Sequence, residues 1–135
     1  MKMILAAALA ALMCACQHQP VRVTEVVKPP SNRVFGYQEA CEGCVPFVVT
    51  RDPAMSASCP IRVSIDGAVL ADLRPGEAAD GYATPGQHLL DAQPRGRRCA
   101  AAPAETRIVL DREHTKTYRI GADDNGAMHI TLTAF

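Results

Sequence analysis

The residues with the most distinctive chemistry are the cysteines, of which the chain has six. Two of them form the motif Cys41-Glu-Gly-Cys44, a spacing that suits disulfide exchange, half of a zinc site or a small disulfide loop. A redox pair needs a following helix to lower the thiol pKa, but residues 45–49 read Val-Pro-Phe-Val-Val and predict a strand. We therefore favour a structural disulfide. Thiol-redox or metal-binding use of Cys41 and Cys44 is the alternative.

The remaining candidates for catalysis show no catalytic spacing. No serine lies in a Gly-x-Ser-x-Gly motif, and no two histidines form a His-x-His or His-Glu-x-x-His pair. His88 follows Pro85-Gly86 and is expected to pack or to hydrogen-bond within that turn. We therefore predict a protein that is not an enzyme and that uses no metal or cofactor. The histidines are His18, His88, His114 and His129.

The first residues predict an export signal. Lys2 precedes an entirely apolar run, Met3–Ala15, which is shorter than the roughly 20 residues that cross a bilayer as a helix. Residues 12–16, Leu-Met-Cys-Ala-Cys, resemble a bacterial lipobox with Ala15 before the lipid-bearing Cys16. This resemblance implies that residues 1–15 are removed as a signal helix and that Cys16 is acylated. Cleavage without lipid is the alternative.

The resemblance also suggests where in the cell the protein is located. Gln17 after the acylated cysteine resembles lipoproteins that are passed on to the outer membrane. We expect a lipid anchor there, with the protein facing the periplasm or the cell surface.

Export of the chain bears on the four other cysteines. An even number in an oxidising compartment predicts two disulfides, although three pairings are possible. We favour Cys41 with Cys44 and Cys59 with Cys99. The second pair would close a loop of 40 positions, worth on the order of 4 kcal/mol in the chain-entropy account.

Three regions follow the signal. Residues 16–33 contain Pro29-Pro30 and scattered polar residues, which predict a lipidated, flexible tether. Residues 34–58 form an extension that contains two cysteines. Residues 59–135 show short alternating segments between turn signals, such as Ile61, Val63 and Ile65 before Asp66-Gly67. About seven such segments predict an all-β fold, a small antiparallel β-sandwich.

Turn motifs in this region resemble those of the PEGA-type β-domain. The resemblance covers residues 60–121 and rests on Val63-Ser-Ile-Asp-Gly67, Pro85-Gly-Gln-His-Leu89, Ile108-Val-Leu110 and Thr117-Tyr-Arg-Ile120. The chain is also similar to small bacterial lipoproteins of unknown function. Both resemblances imply an extracytoplasmic binding or structural unit without catalytic residues.

The charge balance of the chain limits the classes of partner that it is expected to bind. Fourteen Lys and Arg oppose fourteen Asp and Glu, so the usual electrostatic basis for binding nucleic acid is absent. One basic cluster, Arg95, Arg97 and Arg98, could contact an anionic surface, but a solvated loop is the interpretation that we favour. We therefore predict a non-enzymatic binding or structural accessory of the cell envelope, whose partner is an envelope protein or a glycan.

Overall fold

The computed structural model describes residues 26–55, 59–97, 99 and 101–134. The predicted signal peptide, Cys16 and most of the predicted tether lie outside these residues. The described residues form eight strands in two facing sheets of four, which confirms the predicted β-sandwich. They contain no helix that is both long and apolar enough to span a membrane. The strands are β1 (Val45–Arg51), β2 (Ile61–Ile65), β3 (Ala68–Leu73), β4 (Ala78–Ala83), β5 (Gly86–Pro94), β6 (Ala104–Leu110), β7 (Lys116–Ala122) and β8 (Met128–Ala134).

Seven of these strands, β2 to β8, lie in the region where alternation predicts about seven. The first strand, β1, lies in the predicted extension 34–58 and occupies a central position in its sheet. The strand order is β4-β1-β7-β8 in one sheet, called sheet I, and β3-β2-β5-β6 in the other, called sheet II. All pairings are antiparallel except that of β1 with β7, which is parallel. The sandwich therefore begins before residue 59, and its longest-range pairing is the parallel one.

The core lies between the inward faces of the two sheets. Alternate residues point inward, as the pleat of a strand requires. In β1 the inward residues are Val45, Phe47, Val49 and Arg51. Side chains with at most 2% of their surface exposed include Phe47, Val49, Ile61, Val63, Ile65, Leu70, Leu73, Leu90, Ile108, Leu110 and Ile120.

Arg51 ends β1 on the inward side, although it is charged. Only 1% of its surface is exposed, and its Nη1 donates to the carbonyls of Cys59 at 2.8 Å and Leu73 at 2.7 Å. Both acceptors belong to the sheet II side, so one guanidinium joins the two sheets at this end. We call this end of the sandwich, where β1 finishes at Arg51, the far end.

Residues 27–38 form a segment that we call the strap, which runs along the edges of β3 and β4. At β4, the carbonyl of Val27 accepts from the Ala78 N–H at 2.9 Å. At β3, the Phe35 N–H donates to the Leu70 carbonyl at 2.8 Å, and Val34 forms a bridge with Ala71. The strap thus covers one edge of each sheet and closes that side of the sandwich.

The strap changes one expectation from the sequence. A flexible tether is predicted up to residue 33, whereas residues 27–33 pack on the sandwich. Pro29 is buried, and Arg33 forms a bidentate ion pair with Glu77, both distances being 2.6 Å. Arg33 and Glu77 are 44 positions apart in the sequence, so no local sequence pattern predicts that they are paired.

Candidate functional site

A surface cavity lies at the end of the sandwich opposite Arg51, where the strap meets the turns between strands. It has a volume of about 660 Å³, and we call it the strap groove. The strap, the Cys41–Cys44 loop, the β2–β3 turn, the end of β4 and the start of β5 all contribute to it. Its lining residues are Val34, Phe35, Gly36, Tyr37, Gln38, Glu39, Cys41, Cys44, Asp66, Tyr82, Ala83, Thr84 and His88.

Tyr37 fixes the strap against both sheets. Its hydroxyl donates to the Ile65 carbonyl at 2.6 Å, and its own carbonyl accepts from the Tyr82 N–H at 2.8 Å. Its ring meets Phe47 edge-on, with ring centroids 6.3 Å apart. Its φ of 61° is unusual for a bulky residue, and these contacts hold the strained backbone in place.

Close packing under Tyr37 depends on a glycine. A Cβ added at Gly81 would lie 2.7 Å from the Phe47 ring and 3.0 Å from the Tyr37 Cβ. Glycine at this position therefore lets β4 pass beneath the two aromatic rings.

Two aromatic side chains at the groove face solvent. Phe35 is 52% exposed and Tyr82 is 38% exposed. The Arg62 guanidinium lies 5.2 Å from the centre of the Phe35 ring and forms a bidentate ion pair with Asp72. Arg62 thereby holds Phe35 in place on one side while leaving half of its surface in water.

His88 and Asp66 form an ion pair at the base of the groove. Nδ1 of His88 lies 2.6 Å from Asp66 Oδ2, and Nε2 lies 2.6 Å from the Thr84 carbonyl. A carbonyl only accepts, so Nε2 carries a proton, and a charged imidazole donates through both nitrogens. Asp66 also accepts from the Leu89 N–H at 2.8 Å. The predicted role of His88, bonding within its turn, is confirmed.

The electrostatics of this pair reinforce the geometry. Burial lowers the pKa of His88, but the hydrogen bonds to Asp66 and Thr84 outweigh it and leave the pKa raised. The Leu89 N–H, followed by His88, lowers the pKa of Asp66. Nδ1 of His88 therefore holds the β2–β3 turn against β5, and Nε2 holds the residue that follows β4, Thr84.

The Cys41–Cys44 loop forms another part of the groove wall. The two cysteines are paired as a disulfide, with Cα atoms 5.1 Å apart, and the Cys44 N–H donates to the Cys41 carbonyl at 3.0 Å. Gly43 permits this tight turn with a φ of 74°. The next residue, Val45, begins β1, so no helix follows the motif.

The other predicted site residues lie elsewhere. Cys59 and Cys99 are paired at the far end, with Cα atoms 6.0 Å apart, so both favoured cysteine pairings are at disulfide distance. Arg95 and Arg97 are exposed in the loop that carries Cys99, away from the groove. Arg98 and Cys16 lie outside the described residues. Across 26–55, 59–97, 99 and 101–134, no three His, Cys, Asp or Glu residues are grouped to hold a metal ion.

The aromatic residues of the groove are not predicted from the sequence. The chain has only three Phe and three Tyr, and half of these six, Phe35, Tyr37 and Tyr82, line the groove. Aromatic residues are scarce in this chain, and two of them, Phe35 and Tyr37, are only two positions apart. This clustering could have indicated a binding surface, but the strand and cysteine patterns do not draw attention to it.

The comparisons with known proteins do not extend these observations. The chain matches no protein-family model, and no curated protein matches it significantly.

The His88–Asp66 pair predicts a specific pH dependence of stability. Because the folded pKa of His88 is raised, its contribution is complete below its unfolded value of about 6.5 and is lost as pH rises through the folded pKa. We expect His88→Gln to cost about 2 kcal/mol at pH 6 and less at pH 9. Urea unfolding of both proteins across this range measures the difference. An equal cost at both pH values would contradict a charged pair.

Proposed function

We propose that the protein is a lipid-anchored, non-enzymatic binding module of the bacterial cell envelope, and that the strap groove is its recognition site. The groove is supported as the recognition site by the pair of solvent-exposed aromatic side chains that line it, Phe35 and Tyr82. Binding sites are concave and mostly apolar, with a few polar groups that orient the ligand. The groove has this composition.

The lining supports a neutral ligand such as an envelope glycan. Phe35 and Tyr82 offer apolar ring surfaces, while Gln38, Glu39 and Thr84 offer polar atoms beside them. No Lys or Arg is among the described residues that line the groove, and Asp66 is already paired with His88. A phosphate or other anion would therefore meet Glu39, while the charged His88 is already bonded to Asp66 and Thr84. A sugar presents hydroxyls and an apolar ring face instead.

Thiol-redox chemistry is the second candidate, because both residues of the Cys41–Cys44 pair line the groove and Cys41 is exposed. The strand that starts at Val45 argues against it, since a helix N-terminus is the usual means of lowering the thiol pKa. Replacing both cysteines by Ser separates the two proposals. Loss of disulfide exchange with a dithiol substrate, while glycan binding persists, would favour the redox candidate.

The anchor is tested by the intact mass of the protein recovered from bacterial membranes. We expect a chain that begins at Cys16 and carries the added mass of acyl chains, and we expect Cys16→Ser to remove the protein from the membrane fraction. A chain cleaved at the same place without acyl mass would contradict the anchor. It would leave the groove proposal standing.

The recognition site is tested by sedimentation with purified peptidoglycan sacculi, followed by titration with soluble peptidoglycan fragments. We expect Tyr82→Ala and Phe35→Ala each to weaken binding by about tenfold, since losing one well-placed aromatic contact costs roughly 1.4 kcal/mol. Val109→Ala is the matched control, because Val109 is 49% exposed on β6 and does not line the groove.

Two results would contradict the glycan site. One is a wild-type protein that binds neither sacculi nor fragments. The other is a loss of binding that is equal in the Tyr82, Phe35 and Val109 variants.

A further inference from the structure

The four outer edges of the two sheets are protected unequally. The strap covers the edges of β3 and β4 through backbone hydrogen bonds. On β6, Glu105 and Arg107 supply charges, and the Val109 carbonyl accepts from Lys116 Nζ at 2.7 Å and the Tyr118 hydroxyl at 3.4 Å. Charges and covering segments are the usual means of preventing edge pairing.

Among the described residues, β6 of sheet II lies near β8, but the outer edge of β8 has neither kind of protection. β8 contains no Lys, Arg, Asp, Glu, Pro or Gly. Within the part of the chain that the structure describes, no backbone hydrogen bond joins its outer edge to another segment. A bare edge of this kind is a template for another strand.

The regular part of β8 is complementary to itself. Residues 128–132 pair evenly with β7, and the register shift falls beyond Leu132. Ile130 and Leu132 lie opposite the buried residues Ile120 and Tyr118, so their side chains are on the face that is directed toward sheet II, as is Met128. Met128 and Ile130 pack against the core, whereas Leu132 is 45% exposed. His129 and Thr131 lie on the outward face and are exposed.

We propose that two copies of the chain associate through antiparallel pairing of β8 with β8 about a two-fold axis at Ile130. This register places Met128 against Leu132 of the second copy, Ile130 against its counterpart, and His129 against Thr131. Apolar residues then meet apolar residues, polar residues meet polar residues, and no two like charges are opposed. Sheet I becomes a continuous sheet of eight strands across the two molecules.

This register predicts which introduced cysteines can form an intermolecular disulfide. Directly opposed residues are about 5 Å apart, within the limit of about 7 Å between Cα atoms. Two copies of position 129, or two of position 131, are offset by two residues and lie roughly 8 Å apart. The full-length His129→Cys and Thr131→Cys proteins, tagged differently and purified in detergent, are oxidised singly and as a mixture.

We expect the mixture to give mainly the disulfide-linked heterodimer and each single variant to give little homodimer. The proposal would be overturned if homodimers and heterodimers formed in the proportions that random collision between molecules gives. It would also be overturned if no disulfide-linked dimers formed. Self-linking of one variant alone would overturn the register and the axis with it.

A second measurement uses no added thiol. Light scattering is expected to show dimers of the wild type and monomers of the double variant His129→Lys/Thr131→Lys, whose opposed lysines repel. The control Ala102→Lys/Thr115→Lys adds the same charge at exposed positions outside the strands and should remain dimeric. A wild type that stays monomeric, or an edge variant that stays dimeric, would overturn the proposal.

Discussion

Glu77 is the group on which the closed side of the sandwich depends. It is a carboxylate with 7% of its surface exposed, held by the Arg33 guanidinium at 2.6 Å through both oxygens and by the Arg74 N–H at 2.7 Å. The hydrogen bonds from Arg33 lower the pKa of Glu77 against the effect of burial. A buried carboxylate is tolerated only when it is paired in this way, and removing one partner leaves an uncompensated charge. The strap therefore stays on the sandwich because Arg33 is part of it.

The two ends of the sandwich are stabilised by different contacts. At the far end, Arg51 and the Cys59–Cys99 disulfide tie the sheets together. At the other end, the strap continues from Arg33 to Tyr37 and forms one wall of the groove. The strain at Tyr37 and the exposure of Phe35 both occur where the structure is secured by contacts made elsewhere. These contacts hold the groove wall in one arrangement, and such preorganisation would lower the entropic cost of binding the proposed ligand.

The sequence predicts local features of this fold well and non-local features poorly. Alternation locates β2 to β8, and Asp66-Gly67 marks the hairpin, because both signals lie within a few residues. The even cysteine count predicts the disulfides because the predicted export would make pairing favourable. The strap and the parallel pairing of β1 with β7 depend on partners far away in the chain, and no periodicity records them. The groove is assembled from five separate segments, so its aromatic residues are recognised only after folding.

The most direct test of this account is hydrogen exchange at the Phe35 amide, which donates to the Leu70 carbonyl. We expect Arg33→Met to speed its exchange by about tenfold or more while amides in β2 remain protected. Lys28→Met is the matched control, because Lys28 also lies in the strap and its ion pair with Asp80 is exposed to solvent. It should leave the exchange rate nearly unchanged. Equal protection of Phe35 in the wild type and the Arg33 variant would contradict the claim that the buried pair holds the strap and shapes the groove.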